Sequence, residues 1–85
     1  MRGKIVHVEH RIGWIAIRDD RGAITIAEII GGYDVEKGHI ISGNLHSLGS
    51  EVFHNLTTSE EMDVMVEYIG LTDNQAIAAI QRCGR

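Results

Sequence analysis

A mainly β fold is what this 85-residue sequence predicts: a small five-stranded barrel, then a further strand or helix, then a terminal α-helix. Three observations predict it. Five short runs rich in β-branched residues, separated by turn chemistry, fall within about the first 57 residues. Hydrophobic residues make up 44% of the chain and aromatics only 5%, so the core is aliphatic. Over residues 71–82 the apolar spacing changes from strand-like to helical. A barrel is the economical arrangement because closure removes the edges that so few strands would expose, and this length supports one core only.

Residues 4–10, KIVHVEH, open the chain with period-2 character, placing Ile5, His7 and Glu9 on one side and Val6 and Val8 on the other. A two-residue turn at His10 and Arg11 leads into residues 13–18, GWIAIR, with Ile15 and Ile17 inward and Trp14, Ala16 and Arg18 outward. That turn sets His7 opposite Trp14. DDRG, residues 19–22, is turn chemistry: aspartates that bond local backbone and a glycine free to take positive φ. Residues 23–29 form a third strand, with Ile24 and Ile26 as its inward pair and Thr25 and Ala27 outward. Gly31 and Gly32 end it. Residues 39–46 and 51–56 make two more strands joined at SLGS, which as a tight turn sets His46 opposite Glu51.

Residues 62–69 fit two patterns. Met62, Met65, Val66 and Ile69 have helical spacing, whereas Val64, Val66 and Tyr68 alternate with Asp63 and Glu67. Strand is preferred for its β-branched content. The terminal helix carries a capping box, Thr72 with Gln75, with Asp73 as the other candidate cap. It presents a narrow stripe of Ala76, Ile77, Ala79 and Ile80, and Gly84 stops it. Residues 1–57 thus read as the barrel and 58–85 as an extension packed on it.

Twelve acidic and eight basic residues give a net charge of −4, unfavourable for a general phosphate-backbone binder. The basic residues nevertheless gather early, at Lys4, Arg11, Arg18 and Arg21, so the first hairpin can be locally positive. The lone Cys83 has no internal disulfide partner, and the expected setting is reduced and cytoplasmic. No apolar run reaches the roughly 20 residues of a membrane helix, and no signal-peptide pattern opens the chain.

The order of motifs resembles the cold-shock domain, an OB-fold that binds single-stranded RNA and DNA. RGKIVHV is similar to the opening strand of that family, GWIAI to its glycine-aromatic strand, AITIA to the strand after the turn, and GHIISGNL with NLT to its closing strands. The likeness covers approximately residues 1–57. It implies an OB-like barrel and a face on which bases stack, each stack contributing about 1–3 kcal/mol. At the corresponding outward positions this chain has one full ring, Trp14, with His7 beside it.

The expected function is therefore a small non-enzymatic binding module, weakly directed to single-stranded RNA or DNA. Trp14, His7 and Thr25 would face the bases, with Arg11 and Arg18 taking phosphates. The alternative is an OB-fold protein-interaction or homodimerisation module using Phe53, Met62, Met65, Ile77 and Ile80, since an apolar helical stripe must be buried on its own barrel or on a second subunit. No catalytic or phosphate-binding motif occurs. The five histidines lack the spacing of a metal site, and no cofactor is expected.

Overall fold

The structure, a computed structural model, describes residues 1–83. Six strands and one helix follow in order: β1 (Arg2–Glu9), β2 (Trp14–Asp19), β3 (Ile24–Ile29), β4 (Ile40–Ser42), β5 (Gly49–Asn55), β6 (Glu60–Leu71) and α1 (Asp73–Cys83). They close into an antiparallel barrel in the order β1-β2-β3-β6-β5-β4. The mainly β barrel with a terminal helix is as predicted, but it has six strands rather than five. The strand preferred for residues 62–69 exists, is longer, and sits between β3 and β5 as a wall of the barrel. The predicted helix stop, Gly84, lies outside the described residues.

Two apolar clusters hold the molecule together. The barrel interior contains Ile5, Ile15, Ile17, Ala27, Ile41, Leu45, Phe53, Met62, Val64 and Val66. A second cluster lies outside the barrel, where Ala76 and Ala79 of α1 pack on Ala16, Ile24 and Ile26, with Val6, Trp14, Tyr68, Leu71 and Ile80 around them. β3 is therefore buried on both faces, as strands covered by a helix are.

That double burial corrects the predicted faces of β3, while those of β2 are as expected. Ile15 pairs with Ala27 and Ile17 with Thr25, all inward; Ala16 pairs with Ile26 and Arg18 with Ile24, outward. Ile24 and Ile26 are buried, but beneath α1 and not in the barrel. Alternation reports that a position is covered, not by what.

Bulges account for two further differences. The β1–β2 register shifts between Ile5 and His7, so Ile5 and Val8 both contribute to the barrel interior, although simple alternation puts them on opposite faces. The connection to β2 is also four residues, 10–13, and not the expected two-residue turn at His10 and Arg11, so Glu9 lies opposite Trp14 and His7 opposite Ala16. In β6 the shifts opposite Ile26 turn Tyr68 and Leu71 to the outer face while Val64 and Val66 remain inside.

β4 is only three residues long, because the chain leaves the sheet at Gly43 to bury Leu45. β5 begins at Gly49, so SLGS is no tight turn; Glu51 lies opposite Val64, and His46 meets Asp19 instead of Glu51.

Candidate functional site

α1 lies on the outer face of β3 and β6 and reaches Ala16 of β2, and its position follows from its cap. Thr72 N donates to Gln75 Oε1 at 2.9 Å and Gln75 N to Thr72 Oγ1 at 3.2 Å, the reciprocal capping box that the sequence predicts. This fixes the first turn immediately after β6, and Asp73 there accepts from Arg18 Nη2 at 2.8 Å. Of the predicted stripe, Ala76 and Ala79 are buried, Ile80 is half-buried, and Ile77 remains 54% exposed.

The five residues expected at a nucleic-acid face are not brought together as one. Thr25 is a correction: it is 1% exposed, inside the barrel, and donates Oγ1 to the Leu45 carbonyl at 2.8 Å. Trp14 is half-buried, its ring edge-on to Tyr68 at 6.2 Å. Arg18 is paired with Asp73. His7 and Arg11 are exposed and converge on Glu9, at 3.2 Å and 3.3 Å. Their hydrogen bonds, His7 first and Arg11 second, hold the Glu9 carboxyl below its ordinary range.

Among the expected interface residues, Phe53 and Met62 are also corrections. Both are 0% exposed in the barrel interior, because β5 and β6 point them inward from facing positions. Met65 is half-buried opposite Ser50 and Glu28. Ile77 and Ile80 border a groove of about 440 Å³ between β1 and α1. Its apolar lining is completed by Val6, Ala16, Ile24 and Ala76; its rim carries His7, Glu9, Arg18, Asp73 and Gln81.

Sequence reasoning missed Tyr68 as the second ring, since only the bulge in β6 turns it outward. It also missed that Lys4 and Arg18 are cross-strand partners, which requires the register. With Arg2 two positions before Lys4 on the same exposed side, three cations adjoin, and among the described residues only Arg18 of the three has a carboxylate partner. Asp19 is the other polar centre. Burial would raise its carboxyl, but His46 and the amides of Arg21 and Ala23 outweigh this and hold it below its ordinary value.

No family model, curated protein or solved structure matches this chain. Among the described residues, no three histidine, cysteine or carboxylate side chains converge to hold a metal ion, and no helix is long and apolar enough to cross a membrane.

Proposed function

We propose that this chain is a non-enzymatic protein-interaction module that pairs with a second copy of itself through α1. The observation that supports this reading is the juxtaposition of Ile77, 54% exposed, with the apolar groove it borders. A projecting side chain and a receiving groove on one face are self-complementary. Under a two-fold axis the Ile77 of each copy can enter the groove of the other, the requirement of an isologous interface. Arg18 and Asp73 on the rim of the same groove offer each copy both signs of charge. An OB-like kinship of the barrel and a reduced, cytoplasmic setting belong to the same proposal, resting on the motif order and on the lone Cys83.

Sedimentation velocity tests it. A concentration-dependent dimer is expected, lost in Ile77→Asp and retained in Val52→Asp, which alters another exposed apolar residue, on β5. A strict monomer at every concentration would sink the proposal.

A second reading, weak binding of single-stranded RNA or DNA, is favoured by the juxtaposed Arg2, Lys4 and Arg18. Like charges directly opposite, as Lys4 and Arg18 are, are unfavourable; Asp73 offsets only the Arg18 charge, so an anion beside Arg2 and Lys4 would complete the neutralisation. Titration with a short single-stranded oligonucleotide at low salt distinguishes the two. Binding that weakens steeply with salt and is lost in Lys4→Glu supports nucleic acid; no binding leaves the protein interface.

A further inference from the structure

β1 is fully paired along one edge only. From Gly3 to Glu9 it runs beside β2, but its other edge meets β4 only at Arg2, Gly3 and Lys4. Closure continues one residue further, with Ile5 N donating to the His39 carbonyl at 2.9 Å and Gly38 N to the Ile5 carbonyl at 2.8 Å. Beyond that point the segment leading into β4 diverges. Among the described residues, no strand lies beside Val6–Glu9 on that side.

The divergence opens a cleft of about 980 Å³, with His7, Val8 and His10 on the β1 wall and Asp34, Val35, Glu36 and Lys37 on the other. Val8 and Val35 both pack onto the barrel interior, so the floor of the cleft is apolar. An unpaired strand presents N–H and C=O groups at strand spacing, and what complements them is another extended backbone. Four residues of β1, from Val6 to Glu9, span roughly 13 Å at strand rise. The bulge between Ile5 and His7 twists this edge and Glu9 charges its end, but no proline or lysine lies within residues 6–9 to block pairing.

We infer that this cleft binds an extended peptide segment of a partner protein, which adds as a strand along β1 beyond Ile5 and rests an apolar side chain between Val8 and Val35. The occupant is a peptide and not the β1 edge of a second barrel. That edge would carry its own residues 34–37 beside it, and these would meet the wall of the cleft before the two strands could pair. The inference does not depend on pairing through α1.

The test is an amide NMR titration of the 15N-labelled full chain with a synthetic peptide of alternating valine and threonine. A control peptide has the same sequence with every second backbone nitrogen methylated. Saturable shifts confined to residues 6–10 and 34–39 are expected, with the methylated peptide at least about tenfold weaker, as loss of edge hydrogen bonds requires. No shifts at millimolar peptide, or equal shifts with both peptides, would overturn the inference. Shifts of the same residues on concentrating the protein without peptide would also overturn it, assigning the edge to a second copy.

Discussion

At the scale of single residues, Asp19 ties the DDRG turn to the loop after β4. One carboxylate oxygen accepts from the amides of Arg21 and Ala23, and the other meets His46 Nε2 at 3.2 Å. Asp19→Ala removes the acceptor for both amides and is expected to cost about 2 kcal/mol, measured by urea unfolding. The folded carboxyl lies below its ordinary value of 3.8. Its contribution is therefore fully present above the unfolded pKa and is lost as pH falls through the lower folded one. Asp19→Asn, which keeps an acceptor but cannot titrate, is expected to show a flatter loss of stability than the parent below about pH 4. Asn55 Oδ1 accepts from the amides of Thr57 and Thr58, which fixes the orientation of its amide and directs Nδ2 at His39 Nδ1, 2.9 Å away. Nδ1 is thus an acceptor, and the neutral ring carries its proton on Nε2. 15N chemical shifts of the imidazole should report that tautomer; a proton on Nδ1 would contradict the arrangement. The turn role of the aspartates was legible in DDRG, but the partner of Asp19 was not, because His46 is 27 positions away and reaches it only through the short β4.

At the scale of elements, α1 depends on its cap, since its buried face is made largely of alanine. Thr72→Ala removes one side of the capping box and is expected to destabilise the protein by about 1 kcal/mol, read in thermal or urea unfolding. Asp73→Asn is expected to change stability by less than about 1 kcal/mol, because the Arg18 pair is exposed. A larger loss there would mean that the ion pair positions the helix. The cap and stripe were legible because their signals span only a few residues. Existence of β1, β2, β3 and β6 was legible in the same way. Their faces were less so, because the irregularities in β1 and β6 each turn the residues that follow, and no local pattern announces them. Ile24 and Ile26 show the limit most clearly. Their hydrophobicity marks burial correctly, yet the layer that buries them is encoded some 50 residues later, in Ala76 and Ala79.

At the scale of the whole molecule, β6 and α1 change what the first hairpin can do. The face of β2 and β3 that would carry a stacking surface is floored with isoleucine and crossed by the helix, and its rings are Trp14 and Tyr68 at the margin. Two surface features left open are the groove beside Ile77 and the cleft along β1. The motif order and the lack of a catalytic motif led to the expectation of a binding module, but the positions of these features depend on barrel closure and helix docking, which only the complete topology fixes. Pairing through α1 is tested most directly by an isotope-filtered NOE experiment on an equimolar mixture of labelled and unlabelled chains. Intermolecular contacts from the Ile77 methyls to the methyls of Val6, Ile24 or Ile80 are expected. Their absence at concentrations where sedimentation shows a dimer, or intermolecular contacts confined to another face, would contradict it.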